Sequence, residues 1–322
     1  MIKGHGNDLY QYQGIRTDFS SNIATPPDGH KALSAYMTTR LGDAIGRYPE
    51  PEAWTLERRL AQSHGINPEC VIVTNGATEA IYLVAQAFRL RHVIPTPTFS
   101  EYADACRMFT TEDSSRRMLW LCNPNNPDGR VYGREGVERW TSEYDMTVTD
   151  QSYELYTREP LWCAQEAVSA GNAIVIHSMT KTYAVPGLRL GYIVTAADIA
   201  ERLRRYMRPW AVSALAIEAG LFLLEHDELT AKPCLDEAQR LRDALRAIDG
   251  VSVEPTATSF MLGKAEGITA AELKHRLATE HGMLIRDASN FDGLTPHHFR
   301  VAAQTAAEND ALVDAIKRIM NA

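Results

Sequence analysis

Residues 173–194 read AIVIHSMTKTYAVPGLRLGYIV, which is the most informative stretch of the chain. Two apolar, strand-like runs at 173–176 and 190–194 enclose a short hydroxyl-rich turn that carries Lys181. A fixed cation, Arg189, follows eight residues after this lysine. An amine held between two buried strands is suited to forming a Schiff base with a carbonyl cofactor, whereas most lysines are surface residues of loops. This segment alone leaves both interpretations open.

Length and composition limit the class of protein. A chain of 322 residues can form two domains or one large α/β domain with appendages. The net charge of −8, without any basic block, argues against a nucleic-acid surface. No apolar run approaches the ~20 residues of a membrane span, and the five scattered cysteines contain no C-x-x-C pair. We therefore expect a cytoplasmic protein that binds neither nucleic acid nor membrane.

Short apolar strands alternate with helical patterns between residues 46 and 210, which predicts a mostly parallel sheet covered on both faces. The pattern changes near residue 210, so we expect a smaller α+β domain at 211–322, which an N-terminal segment at 1–45 joins. The predicted strands of the large domain are 71–74, 92–94, 119–122, 146–149, 173–176 and 190–194.

Ligands of open parallel sheets gather outside the carboxyl ends of the strands, and five candidate groups follow predicted strands. The first is the turn around Gly76, where a strand meets a helix. The free N–H groups and the dipole of that helix favour an anion such as phosphate. An ordinary N-cap formed by Asn75 or Thr78 would explain the same residues.

Two further groups follow the next strands. Residues 123–129 read NPNNPDG, which a structural turn largely explains, but a side-chain amide there could also face the phenolic oxygen of a cofactor. Asp150 ends the strand 146–149, where a buried carboxylate is costly unless it is paired. A protonated pyridine nitrogen would be such a partner, and capping of the following turn is the alternative.

The last two groups carry cations. Ser178 and Arg189, on either side of Lys181, could hold one phosphate. Arg300 lies inside the apolar strand 299–302, where a guanidinium requires either a bidentate anion such as a substrate carboxylate or a structural ion pair. The adjacent His297 and His298 face opposite sides of a strand, so we expect no metal site there.

These motifs occur in one order along the chain, namely Gly76-x-x-Glu79, Asn126-Pro127-Asp128-Gly129, Asp150-x-x-Tyr153, Ser178-x-x-Lys181 and Phe299-Arg300-Val301. Together they resemble the fold-type I pyridoxal phosphate enzymes of the class I/II aminotransferase family, over nearly the whole chain. The resemblance implies an α/β large domain with a mostly parallel seven-stranded sheet, and a smaller α+β domain.

The resemblance also implies a cofactor, pyridoxal 5'-phosphate, and roles around its ring. Lys181 would hold the cofactor covalently and move protons, and Asp150 would pair with the pyridine nitrogen. Asn126 and Tyr153 would bond the phenolic oxygen, and Phe99 would stack on the ring.

The cofactor phosphate would be held by the turn at Gly76, by the backbone of Ala77 and Thr78, and by Ser178 and Arg189. Tyr48 would reach the same phosphate from a partner subunit, which implies a homodimer with shared active sites.

Substrate roles follow from the branch of the family that holds histidinol-phosphate aminotransferase and threonine-phosphate decarboxylase. Arg300 would take the substrate carboxylate, and the other implied substrate residues are His5, Asn7, Asn22 and Arg286. The chain departs from the family pattern after Asn22, where Ile23 to Pro26 replace the usual Asn-Pro-x-Gly turn, and at Thr180, where serine is usual.

Three functions remain open at this point. The leading hypothesis is decarboxylation of L-threonine O-3-phosphate, as in cobalamin side-chain synthesis. The second is amino transfer between histidinol phosphate and 2-oxoglutarate, and the third is a catalytically silent dimer that retains the fold. The residue types do not decide which bond of the substrate breaks.

Overall fold

The computed structural model describes residues 8–24, 30–110 and 115–321. His5 and Asn7 therefore lie outside the described residues. The strands are β1 (Thr17–Asp18), β2 (Val71–Thr74), β3 (Arg91–Val93), β4 (Arg117–Cys122), β5 (Met146–Asp150), β6 (Ala173–His177), β7 (Gly191–Thr195), β8 (Val251–Val253), β9 (Phe260–Ala265), β10 (Met283–Leu284), β11 (Arg286–Asp287) and β12 (His298–Ala302). The helices are α1 (Lys31–Gly46), α2 (Trp54–His64), α3 (Gly76–Phe88), α4 (Glu101–Phe109), α5 (Arg134–Glu143), α6 (Ala164–Ala170), α7 (Met179–Thr182), α8 (Ala197–Arg204), α9 (Ala214–Leu223), α10 (Leu235–Arg246), α11 (Ala270–His281) and α12 (Ala306–Met320).

A central sheet has the order β2-β7-β6-β5-β4-β3, and its strands are parallel except β7. The α/β fold with a mostly parallel sheet is thus confirmed, and all six predicted strand segments belong to this sheet. Successive residues of β2, β4, β6 and β7 enter different apolar cores, as Ile174 and Val175 do, because side chains alternate across a strand. Burial on both faces explains why these strands read as continuous apolar runs.

The count of seven strands is not met in the described part of the chain. The sheet has six strands there, and β3 forms its edge. Residues 111–114, between α4 and β4, lie outside the description, so the sheet is described only as far as β3 on this side.

A second, antiparallel sheet has the order β11-β12-β9-β8 and packs against α10, α11 and α12 around its own core. Its register places Arg286 of β11 opposite Arg300 of β12. The N-terminal strand β1 pairs in parallel with β10, so the segment that begins the chain joins this part of the molecule. None of the described helices has the length and apolarity to cross a membrane.

The first residue of β7 brings that strand against the start of α3. A Cβ atom on Gly191 would lie 2.7 Å from the backbone nitrogen of Ala77 and 2.9 Å from the carbonyl oxygen of His177. Backbone atoms cannot move aside as a flexible side chain can, so this close approach requires glycine. It fixes the N-terminus of α3 beside the ends of β2 and β6.

We predict that Gly191→Ala lowers the free energy of unfolding by about 1–3 kcal/mol, because the added methyl group overpacks backbone against backbone. Urea denaturation measures this change. Gly136→Ala is the matched control, since its Cβ would meet only the Trp140 ring, at 3.9 Å. An unchanged urea midpoint for Gly191→Ala, equal to that of the control, would contradict the close approach.

Candidate active site

One cavity of about 320 Å³ opens where the carboxyl ends of the central strands face the second sheet. Most of the residues predicted for cofactor and substrate line it, namely Asn22, Ala77, Thr78, Phe99, Asn126, Asp150, Tyr153, Ser178, Lys181, Arg189, Arg286 and Arg300. These residues come from both sheets and from the N-terminal segment. The fold therefore brings together groups that are far apart in the sequence.

The N-terminus of α3 forms one end of this cavity. Gly76 begins the helix with φ +81°, and a Cβ atom there would lie 2.7 Å from a guanidinium nitrogen of Arg189. Arg189 thus lies directly over the first turn, whose leading N–H groups have no partner within the helix. A cation beside free N–H groups at a positive helix end is suited to binding a phosphate.

Lys181 lies in α7, the short helix that follows β6. Burial lowers the pKa of its ammonium group to about 7, and the positive charges of Arg300 and Arg189 act in the same direction. Its Nζ lies 5.5 Å from the centre of the Tyr153 ring. A considerable fraction of this amine is therefore uncharged near neutral pH, as a nucleophile or proton acceptor must be.

Asp150 ends β5 and is almost completely buried. Its Oδ2 accepts a hydrogen bond from the Tyr102 hydroxyl at 2.7 Å, and its Oδ1 accepts one from the Ser152 backbone N–H at 2.8 Å. Burial raises the pKa of the Asp150 carboxyl, and these hydrogen bonds act against that rise. A positively charged partner would stabilise the ionised form further.

Two buried arginines line the side of the cavity formed by the second sheet. Arg300 donates from Nη1 to Asn126 Oδ1 and from Nη2 to the Ser20 carbonyl, both at 2.5 Å. Burial lowers the pKa of Arg300 to about 10 and also lowers the pKa of Arg286. Arg286 donates to Asn290 Oδ1 at 2.8 Å. Each of the two guanidinium groups donates to an amide oxygen, Arg300 to that of Asn126 and Arg286 to that of Asn290, and a guanidinium can also bind an anion.

Three polar atoms in the cavity wall are buried without a hydrogen-bond partner among the described residues: Asn22 Oδ1, Thr180 Oγ1 and Arg300 Nε. The amide nitrogen of Asn22 donates to the Tyr153 hydroxyl at 3.4 Å. Buried polar groups in native proteins are generally satisfied, so unsatisfied donors and acceptors in one cavity indicate a polar ligand.

Comparison with known proteins identifies the class of ligand that this cavity binds. The model of the aminotransferase class I and II family matches residues 15–112 and 109–316. The chain belongs to this family. It is therefore an enzyme of the group that uses pyridoxal 5'-phosphate, and this compound is its cofactor.

Several members of the family are similar over almost the whole chain. Threonine-phosphate decarboxylase from Salmonella typhimurium is 30% identical, over 94% of this chain and 91% of that protein. Histidinol-phosphate aminotransferase 2 from Archaeoglobus fulgidus is 28% identical, over 94% of this chain and 92% of that protein. The crystal structure of L-threonine-O-3-phosphate decarboxylase from Porphyromonas gingivalis superposes with a TM-score of 0.90 at 37% identity, covering 95% of this chain and all of that one.

The residues in the cavity fit this cofactor. The glycine turn at Gly76, with Arg189 above it, suits the phosphate, and the buried carboxylate of Asp150 suits a protonated pyridine nitrogen. The lowered pKa of Lys181 suits an amine that bonds a carbonyl carbon. Asn126, Tyr153 and Ser178 line the same space, so their predicted cofactor contacts are sterically open.

Sequence reasoning did not identify some residues of the cavity wall. Tyr102, Ser20 and Ser21 line it without having been predicted, and Thr180 was noted only as a departure from the family pattern. Tyr102 is the second residue of α4, and the local sequence carries no signal that places it in the cavity wall. Tyr48 is not in this cavity and is 85% exposed, so its contact with a partner's cofactor stays a prediction.

We predict that Lys181→Met stabilises the cofactor-free protein at pH 7 by roughly 1–3 kcal/mol. The lysine pKa is about 7 in the folded protein against an ordinary value of 10.5, so the unfolded chain binds more protons between these two pH values. Wild-type stability should therefore fall as the pH is lowered from about 10 to about 7 and change no further from this group below that.

Urea denaturation across this pH range measures the effect, and the gain from Lys181→Met should disappear toward pH 10. Lys317→Met, at an exposed lysine of α12, is the control and should show no such trend. A pH-independent difference between Lys181→Met and wild type would contradict the lowered pKa.

Proposed function

We propose that this enzyme decarboxylates L-threonine O-3-phosphate, the reaction known from cobalamin side-chain synthesis. The observation that carries the proposal is the pair of buried guanidinium groups, Arg286 and Arg300, opposite each other on β11 and β12 and facing the cavity. Threonine phosphate carries two anions, a carboxylate and a phosphate, and therefore provides one for each arginine.

Similarity to known proteins supports this substrate over the alternative. The solved threonine-phosphate decarboxylase is 37% identical with a TM-score of 0.90, whereas a histidinol-phosphate aminotransferase from Clostridium acetobutylicum is 22% identical with a TM-score of 0.81. The difference in fold similarity is small, and the difference in identity is larger. Both relatives act on phosphorylated amino compounds, according to their names.

The charges in the cavity suggest which arginine takes which anion. Arg300 lies close enough to Lys181 to lower the pKa of its amine, and Arg286 does not contribute to that shift. The reacting amine and carboxylate are both attached to Cα of the substrate, so the carboxylate belongs near Lys181. We therefore assign the carboxylate to Arg300 and the more distant phosphate to Arg286.

Bound pyridoxal phosphate supplies an electron sink for the bond that breaks at the substrate Cα. The residues of the chain position that bond and move protons. Asp150 keeps a positive partner charged, and Arg300 orients the carboxylate. Lys181, with a pKa of about 7, can deliver a proton to the Cα atom after carbon dioxide leaves, because it is readily protonated near neutral pH.

An aminotransferase of the histidinol-phosphate type is the second candidate. Glutamate, its amino donor, also carries two anions, so the two arginines fit it as well. Histidinol phosphate itself lacks a carboxylate and would leave one guanidinium without an anion.

The two reactions are separated by their products. Purified protein with pyridoxal phosphate is incubated either with threonine phosphate or with histidinol phosphate plus 2-oxoglutarate, and carbon dioxide and glutamate are measured. We expect carbon dioxide and the phosphate ester of 1-amino-2-propanol in the first reaction, and no glutamate in the second. Unphosphorylated threonine is the matched control and should react far more slowly, because Arg286 then has no anion to bind. Glutamate alone would refute the decarboxylase.

We also propose that the enzyme is a homodimer and that Tyr48 completes the site of the partner subunit. Large apolar side chains are exposed in this part of the chain: Leu41 and Ile45 on α1, and Tyr48 shortly after it, whose ring lies 5.4 Å from that of the exposed Trp210. An exposed group of this kind on a folded chain favours an interface with another protein.

Subunit complementation tests this arrangement. Tyr48→Ala should weaken both sites of its dimer, and Lys181→Ala should inactivate both sites of its own. After the two variants are unfolded and refolded together, each hybrid dimer should contain one intact site, which restores up to about a quarter of wild-type activity. If Tyr48 served its own subunit, mixing would restore nothing beyond the sum of the two variants. Size-exclusion chromatography shows whether the refolded protein is dimeric, and a purification tag on one variant that retains the other shows that hybrids form.

A further inference from the structure

Tyr102, a buried tyrosine of α4 in the cavity wall, donates a hydrogen bond to the carboxylate of Asp150. Its side chain is 1% exposed, and its hydroxyl donates to Asp150 Oδ2 at 2.7 Å. The other carboxylate oxygen accepts from the Ser152 backbone at 2.8 Å. Both oxygens of Asp150 are thus held, one by the chain that follows β5 and one by a side chain from a different element.

The ring of Tyr102 is itself fixed on two sides. It stacks on the Trp120 ring of β4 with centroids 5.6 Å apart and an interplanar angle of 27°. It also meets the Phe99 ring nearly edge to face, at 5.7 Å and 83°. Aromatic contacts of these geometries are favourable and restrict the rotation of the ring. One side chain therefore contacts both the carboxylate and the aromatic ring that are predicted to hold the cofactor.

We propose that Tyr102 is a positioning residue that keeps Asp150 ionised and aimed at the pyridine nitrogen of pyridoxal phosphate. The proposal rests on the cofactor of the family and on the predicted role of Asp150. It does not depend on the choice between decarboxylation and amino transfer, so it can fail or hold separately from the proposed function.

The electrostatics of the pair support this role. Burial raises the pKa of Asp150, and the hydrogen bond from Tyr102 lowers it again. Burial also raises the pKa of Tyr102 well above that of an ordinary tyrosine, so the hydroxyl keeps its proton and donates throughout the neutral range. A tyrosine supplies this bond without a pH dependence of its own.

Other ionisable groups also face the carboxylate. Cys122 ends β4 opposite Asp150, and Tyr153 follows it on the same segment; burial raises the pKa of both, which keeps them protonated. The imidazole of His177, at the end of β6, stabilises the ionised carboxylate. These groups remain in place when only the Tyr102 hydroxyl is removed, so a difference between wild type and variant reports on that hydroxyl.

The variant Tyr102→Phe keeps the ring contacts and removes the hydroxyl. We expect the Kd for pyridoxal phosphate, measured by titration of the cofactor-free protein, to rise about tenfold, because one charge-assisted hydrogen bond to Asp150 is lost. The pKa of Asp150 should rise as well, so its carboxylate protonates sooner as the pH is lowered. The acid-side loss of cofactor affinity should therefore begin at a higher pH in Tyr102→Phe than in wild type.

The matched control is Tyr82→Phe. Tyr82 on α3 donates to Glu101 on α4 at the same distance, 2.7 Å, outside the cavity. The substitution Tyr82→Phe should leave both the Kd for pyridoxal phosphate and the pH dependence of this Kd unchanged. Thermal melting of the cofactor-free variants shows whether each remains folded.

A double-mutant cycle with Asp150→Asn separates positioning from a general folding defect. If Tyr102 acts through the carboxylate, Tyr102→Phe costs little further affinity in the Asp150→Asn background, whereas a folding defect costs the same in both backgrounds. The proposal would be overturned if the losses of affinity were additive. It would also be overturned if affinity fell at the same acid pH in Tyr102→Phe as in wild type. Non-additive losses of affinity, together with a loss that begins at a higher pH in Tyr102→Phe, support the proposal whichever products the enzyme forms.

Discussion

The structure depends on one electrostatic constraint: several cations converge in a cavity whose described lining residues include one carboxylate, that of Asp150. Lys181, Arg189, Arg286 and Arg300 all line it, and the carboxylate on the same wall, Asp150, is bonded to neutral donors. Burial together with neighbouring positive charge lowers the pKa of Lys181 to about 7 and that of Arg300 to about 10. Such a cavity is costly in the protein alone, and anionic groups of a cofactor and a substrate offset that cost.

Backbone geometry makes the convergence possible. Gly191 lets β7 begin against α3, and Gly76 lets the Arg189 side chain lie over the first turn of that helix. The neighbouring strands β4, β5 and β6 end at the same edge, and each presents a polar segment there. The register of β11 and β12 then places two guanidinium groups opposite each other. Sheet topology thus determines which charges lie close together, because it brings side chains that are far apart in the sequence to one edge of the sheet.

The sequence predicts best what is local and periodic. Strands such as 173–176 are recognisable because burial on both faces requires an unbroken apolar run, and strand-end residues such as Asp150 follow from the topology rule. The hydrogen bond from Tyr102 to Asp150 joins residues 48 positions apart and leaves no periodic signal. Helix α12 was not predicted, although its capping box of Thr305 and Glu308 is a visible start signal. The register that pairs Arg286 with Arg300 depends on tertiary packing, so no local pattern could show it.

Of all the properties of this enzyme, the type of reaction is the one that the sequence predicts least well. The residues of the cavity explain this. In both proposed reactions Lys181 would carry protons, Asp150 would be the counter-charge and an arginine would bind a carboxylate. They differ in which bond of the substrate Cα is held in the reactive orientation, and that depends on where the second anion is bound. Arg286 donates to Asn290 in the loop after β11, which is a different part of the chain from the strand ends around Lys181. On the proposed assignment of the substrate phosphate to Arg286, the placement of this arginine would select the reaction.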